Sequence, residues 1–287
     1  MTTHRDRAFA VVWHGRSVTS TASDSSVGPT ADPRTAAHAT ALDGAWNFRD
    51  LGGTVTPLGT VRPGILLRAA VLSGLTPAGE QALLDLGVTD VFDLRGPREI
   101  EREGADRLPD GVTGHVAPFH PEQDDAPVHE AAEQQEQDPL VRARGYYERI
   151  PTLAPASESV ATILRTLADG DGAVLVHCAA GKDRTGWTVA TVLAALGADR
   201  ETILSDYLLS NTAVGSLRDW MRDQYGAEQA AKPSDELLGV NQGFLDAAWR
   251  AMEQAHGDVD GYLRAIGLEG GLDGPVVARL RVRMLDA

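Results

Sequence analysis

The chain holds a single cysteine, Cys178, and six positions after it stands Arg184, within the run His177-Cys178-Ala179-Ala180-Gly181-Lys182-Asp183-Arg184-Thr185-Gly186. Ala173 to His177 is a short apolar run, and Trp187, Val189, Val192, Leu193 and Leu196 follow at helical spacing, so the loop is expected to join a strand to a helix. Such a loop aims several peptide N–H groups at one point. The helix dipole adds positive potential there, which favours a phosphate or another anion. The backbone of Ala179, Ala180, Gly181 and Lys182 would line that cradle. Cysteines at helix N-termini ionise at roughly 3.5–7.5 rather than about 8.5, so a thiolate nucleophile is expected. The spacing lets the loop curl round a phosphate while the planar guanidinium of Arg184 closes on two of its oxygens, a task for which lysine is a poor substitute. Thr185 can donate its hydroxyl toward the sulfur when the sulfur leaves. Gly181 and Gly186 allow backbone conformations and close approaches that a side chain would obstruct.

Blander readings compete with this one. A free cysteine is more often a small buried hydrophobe, but such a residue needs none of Asp183, Arg184 and Thr185 beside it. Gly181-Lys182 does not belong to a nucleotide-binding loop, which would need glycine where Val176 stands and serine or threonine where Asp183 stands. His177 reads as a core histidine that shapes the loop. Two other functions could use such a loop. A phosphate-binding module without catalysis has no need of the cysteine, and a sulfur-transfer enzyme has no need of Arg184-Thr185-Gly186.

The surrounding sequence supplies elements to hold the loop. Residues 1–40 are rich in Ser, Thr, Ala and Asp and read as a flexible tail, with one catalytic domain over 41–287. Val55 and Val61 mark two short strands joined at Pro57–Thr60, a hairpin expected at the sheet edge. Thr76-Pro77 starts a helix that ends near Gly87, and Val88–Leu94 reads as a buried strand. Gln123–Asp138 is polar and reads as a mobile connection. The next clear helix is expected from Ser157, and Asp199 caps another through Leu209. Strands separated by helices predict an α/β fold with a mainly parallel central sheet flanked by helices.

The Cys-x5-Arg loop with its following threonine resembles the signature of protein tyrosine phosphatases, and Gly181-Lys182-Asp183-Arg184-Thr185-Gly186 resembles their atypical, lipid-phosphatase-like bacterial branch. Asn47-Phe48-Arg49-Asp50-Leu51-Gly52-Gly53, Asp93-Leu94-Arg95, Asp206-Tyr207-Leu208-Leu209-Ser210-Asn211 and Gly261-Tyr262-Leu263 extend the resemblance along the chain. It implies a phosphocysteine intermediate on Cys178, transition-state charge held by Arg184 and the loop amides, and no metal or cofactor. Common members take their general acid from a Trp-Pro-Asp loop, but none of the five tryptophans here precedes proline. Asp183 is the preferred acid and Asp93 the alternative. In similar enzymes the lysine at position 182 accompanies phosphoinositide activity, as a second cation for a second phosphate. Arg49 and Asp50 are candidates for a supporting ring around the substrate. The helices over about 205–255 are a candidate lid, which would shield the thiolate from oxidation.

Composition narrows the partners. A net charge of −15 disfavours nucleic acid and anionic membranes, and no apolar run approaches the roughly 18 residues of a membrane span. One cysteine permits neither an intrachain disulfide nor a cysteine-rich zinc site. Ala8–Trp13 is too short for a secretory core, so the expected location is cytoplasmic, with secretion lacking a recognisable signal as the other route. The expected substrates are phosphotyrosine proteins, then phosphoserine or phosphothreonine proteins and phosphoinositides.

Overall fold

The structure is a computed structural model that describes residues 42–120 and 138–286. The tail at 1–40, and all but the last residue of the connection at 123–138, lie outside the described residues. Along the chain come β1 (Arg49–Asp50), β2 (Val55–Thr56), β3 (Gly59–Val61), β4 (Leu66–Ala69), α1 (Pro77–Asp85), β5 (Val88–Asp93), α2 (Pro97–Glu103) and β6 (Thr113–Val116). Then follow α3 (Pro139–Arg149), α4 (Ala154–Asp169), β7 (Ala173–His177), α5 (Asp183–Ala195), α6 (Arg200–Leu208), α7 (Val214–Tyr225), α8 (Ala227–Ala231) and α9 (Asp235–Leu238). The chain closes with α10 (Gln242–His256), α11 (Val259–Ala265), α12 (Pro275–Met284) and β8 (Leu285–Asp286).

The main sheet has the order β1-β4-β7-β5-β6, with β1 antiparallel to β4 and the other neighbours parallel. β7 is buried along its whole length because helices cover both faces. Val174 and Val176 pack with Leu164, Trp187 and Val189 on one side, while Ala173 and Leu175 pack with Leu67, Leu83 and Val91 on the other. A central parallel strand therefore reads as continuous apolar sequence rather than as an alternation. The parallel register ends Asp93 of β5 and Ala69 of β4 beside His177, so three strands deliver their C-terminal ends to one place.

The expected helix at Thr76 is present: Thr76 accepts a capping hydrogen bond from the Gly79 amide at 3.2 Å, and Pro77 opens the helix. The expected hairpin is also present, but it is not on the edge of the main sheet. β2 and β3 form a second sheet with β8, the last strand of the chain. Among the described residues no helix is long and apolar enough to cross a membrane.

Candidate active site

Cys178–Lys182 joins β7 to α5, whose first turn carries Asp183 and Arg184, at the C-terminal end of the sheet. Its carbonyls are clamped from outside. Ala179 O accepts from the Val71 amide at 3.1 Å, and Asn47 Nδ2 donates to Ala180 O and Gly181 O at 3.0 and 2.9 Å. Arg68 Nη2 adds a bond of 2.7 Å to Gly181 O. A trans peptide points its C=O and N–H in opposite directions, so clamping three carbonyls outward turns the amides of Ala180, Gly181 and Lys182 to the inner side. Gly181 has φ +64, and a Cβ there would lie 2.1 Å from Ala69 O; no other residue type fits. Gly186 is needed for a different reason, since a Cβ would meet the Tyr207 ring at 2.9 Å.

The clamps are themselves held. Asn47, at φ 53, is the one non-glycine residue of positive φ among the described residues, a conformation asparagine tolerates better than most. Arg49 fixes it by donating to Asn47 Oδ1 at 2.8 Å, while Arg49 Nε pairs with Asp206 at 2.7 Å. Asp206 also pairs with Arg68 at 2.6 Å. Burial, and then the charge of Arg49, lower the Arg68 pKa to about 10, so it remains a cation at neutral pH. Arg49 thus acts through Asn47 on the loop. Asp50 holds the chain turn, accepting from the Gly52 and Gly64 amides at 2.8 and 2.6 Å.

Cys178 is 2% exposed. Arg184 meets Glu99 through two parallel bonds, Nη1 to Oε2 at 2.5 Å and Nη2 to Oε1 at 2.7 Å, and Nη1 also reaches Leu94 O at 3.2 Å. A guanidinium has five N–H donors. Nε–H and the second Nη2–H, on the adjacent edge of the fork, remain for two oxygens of an anion. Burial would raise the Glu99 pKa, but Arg184, with the Gly96 amide, outweighs it and lowers the carboxyl below its ordinary value. Glu99 was not among the expected site residues. Its signal is local: Gly96-Pro97-Arg98-Glu99 opens α2, and Glu99 caps it by accepting from the Gly96 amide at 2.9 Å.

The two candidate acids have different surroundings. Asp93 is clasped by Arg95, with Nη2 to Oδ2 at 2.7 Å and Nε to Oδ1 at 2.9 Å. Asp183 is 8% exposed; its Oδ1 accepts from Tyr147 and its Oδ2 lies 3.8 Å from Lys182 Nζ. Thr185 is fully buried, and its hydroxyl has no hydrogen-bond partner.

Lys182 is 3% exposed and donates to the carbonyl oxygens of Leu237 and Gly239 at 2.9 and 3.0 Å. The cation expected to meet a second substrate phosphate is therefore bound to backbone at the end of α9. Leu217, Met221, Ala230 and Leu238 form a small apolar cluster with Ala180 of the loop, so α7–α9 cover it as a lid would.

His177 is fully buried, as the core reading required. Its Nε2 meets Asp106 Oδ2 at 2.7 Å and its Nδ1 faces Cys178 O at 3.3 Å, so both ring nitrogens face acceptors. Asp93, Asp106 and His177 have the composition of a metal site, but Arg95 already supplies a cation, bridging Asp93 and Asp106 at 2.7 and 3.0 Å. Burial alone would lower the His177 pKa; Asp106 and then Asp93 outweigh it and raise the value above 6.5. Because the folded value is the higher one, the imidazolium contributes stability fully below about pH 6.5 and loses it as pH rises through the folded value. Asp106→Asn should therefore flatten the alkaline fall in stability, measured as urea midpoints between pH 6 and 9. An unchanged slope would mean that His177 is neutral in the fold.

Comparison with known proteins gives the family. Residues 40–286 match the model of the tyrosine phosphatase family. The chain is 39% identical over 261 residues to the triple specificity protein phosphatase PtpB of Mycobacterium tuberculosis, covering 79% of this chain and 93% of the relative. It is 34% identical over 129 residues to a tyrosine-protein phosphatase of Nostoc commune, covering 43% of this chain and 42% of that protein. With the match running through nearly all of the described fold and its cysteine loop, this chain belongs to the tyrosine phosphatase family of enzymes.

Proposed function

We propose that the chain hydrolyses phosphate monoesters through a phosphocysteine intermediate. The observation that carries this reading is the loop whose carbonyls are clamped outward, so that its amides, with the unused edge of Arg184, surround the position in front of Cys178. Cys178 Sγ attacks phosphorus, the S–P bond forms, and the bond to the leaving oxygen breaks. Arg184 and the amides of Ala179, Ala180, Gly181 and Lys182 hold the charge on the equatorial oxygens. Asp183 gives its proton to the leaving oxygen. In the second step Asp183 takes a proton from the attacking water, and the unpartnered Thr185 hydroxyl donates to the departing sulfur. Asp183 is preferred over Asp93 because Arg95 holds both carboxylate oxygens of Asp93.

The substrates are phosphotyrosine proteins in the first place. The triple specificity in the name of the mycobacterial relative extends the proposal to phosphoserine or phosphothreonine proteins and to phosphoinositides. Phosphoinositides would require Lys182 to leave its bonds to Leu237 and Gly239, which makes opening of α7–α9 part of that activity. A lone, unpaired cysteine suits work in the reducing cytoplasm. Asn47, Arg49 and Asp206 support the loop rather than the substrate.

The test of the acid is leaving-group dependence. Asp183→Asn should lower kcat/KM by roughly 10²–10³-fold on alkyl phosphates, and far less on an aryl phosphate whose phenolate leaves unaided. Equal losses on both would transfer the acid role elsewhere, with Asp93→Asn the next variant to assay.

A further inference from the structure

Asp183 is held by a chain of two buried phenols. Tyr207 of α6 donates to the Tyr147 oxygen at 2.6 Å, and Tyr147 of α3 donates to Asp183 Oδ1. The rings are locked by packing: Tyr147 stacks on Phe244 of α10 with centroids 5.4 Å apart and an interplanar angle of 15°, and meets Tyr207 edge-on at 6.3 Å. Neither phenol has solvent access, and burial, followed by the charge of Asp183, raises both pKa values, so both stay O–H donors. Each phenol has one proton, and because a carboxylate oxygen only accepts, Tyr147 gives its proton to the carboxyl and Tyr207 gives its own to Tyr147.

We propose that Tyr147, held in turn by Tyr207, is the positioning residue that keeps Oδ1 of Asp183 an acceptor in every step and so reserves Oδ2 for the proton exchanged with substrate and water. This rests on the assignment of Asp183 as the acid. The geometry suits both protonation states. In the carboxylate, Oδ1 accepts from Tyr147; in the carboxylic acid, the proton sits on Oδ2 and Oδ1 is the carbonyl oxygen that still accepts. Lys182 Nζ lies 3.8 Å from Oδ2, and Tyr146 of α3, whose pKa is raised by burial first and by nearby charge including Asp183, stays a neutral phenol beside the site. Lys182 is bound to the α9 carbonyls, so Tyr147 is the strong, close donor to the carboxyl.

Removing the hydroxyl has a direction. A donor stabilises the carboxylate more than the acid, so its loss favours the protonated form. In the full chain, Tyr147→Phe should move the basic limb of the pH profile of kcat/KM upward by about one unit. It should also lower kcat/KM on an alkyl phosphate roughly tenfold more than on a good aryl phosphate. Tyr207→Phe, which leaves the Tyr147 ring and hydroxyl in place, should shift the limb in the same direction by less, and it provides the readout if Tyr147→Phe does not fold. A purely structural role would lower melting temperature and leave the limb and the leaving-group ratio unmoved; that result with Asp183→Asn impaired overturns the relay alone. If Asp183→Asn keeps the wild-type leaving-group dependence, the acid assignment fails and the relay falls with it.

Discussion

Cys178→Ser should abolish turnover, lowering phosphate release by on the order of 10⁴–10⁶-fold, the scale seen when a covalent nucleophile is removed. The substitution exchanges one heavy atom in a site that is 2% exposed, so the fold and the cradle should survive it. What is lost is the thiolate. A serine hydroxyl does not ionise near neutral pH, and the adjacent His177 is not available to activate one, because it is occupied by Asp106 and the Cys178 carbonyl. Binding of inorganic phosphate, followed by calorimetry, should persist in the variant, since Arg184 and the loop amides are unchanged. Residual activity within tenfold of wild type would remove Cys178 from the chemistry. A wild type that binds phosphate but hydrolyses nothing would leave the loop as a recognition device.

Glu99→Ala should cost about 3–5 kcal/mol of stability, the scale expected when one partner of a buried ion pair is deleted. Both side chains are nearly inaccessible, 1% for Glu99 and 6% for Arg184, and among the described residues the remaining guanidinium would keep only Leu94 O as an acceptor. The loss arises mainly from stranding a buried charge rather than from the worth of the pair itself. Glu99→Leu combined with Arg184→Met should therefore recover most of the stability while remaining inactive. Glu99→Gln should be intermediate in stability, and its activity should fall through kcat, because the fork is then free to rotate away from the phosphate. Urea midpoints for the wild type, these variants and the single substitutions Glu99→Leu and Arg184→Met measure this. Additive losses in the double variant would show that the two side chains are not coupled.

The parts of the site that were legible in the sequence share a cause. β7 is apolar throughout because both its faces are covered, and the glycines of the loop are dictated by a left-handed φ and by a contact with Tyr207. The boundaries of α1 and α6 were readable from Thr76 and Asp199, which cap them in the structure. β4 was not readable: Leu66–Ala69 is short and carries a charge at position 68, and only the neutralising Asp206, 138 residues away, lets that charge lie in a central strand. α3 was also missed, since Pro139–Arg149 presents few apolar residues and follows a polar stretch. With it went Tyr147, whose role depends on a contact 36 residues further along the chain. The hairpin was found but misplaced, because its sheet is completed by β8 at the far end of the sequence. Local chemistry announces itself in local sequence; supports that depend on distant partners do not.

The most direct test of the central claim is to trap the intermediate. Wild-type protein, mixed for milliseconds with a ³²P-labelled aryl phosphate in the presence of EDTA, is quenched in alkali, digested and mapped by mass spectrometry. The expected result is label on the peptide that contains Cys178, retained in alkali and released by mild acid or iodine as an S–P bond is, present in Asp183→Asn and absent from Cys178→Ser. Turnover in wild type with no label on Cys178, or turnover that persists in Cys178→Ser, would contradict the account.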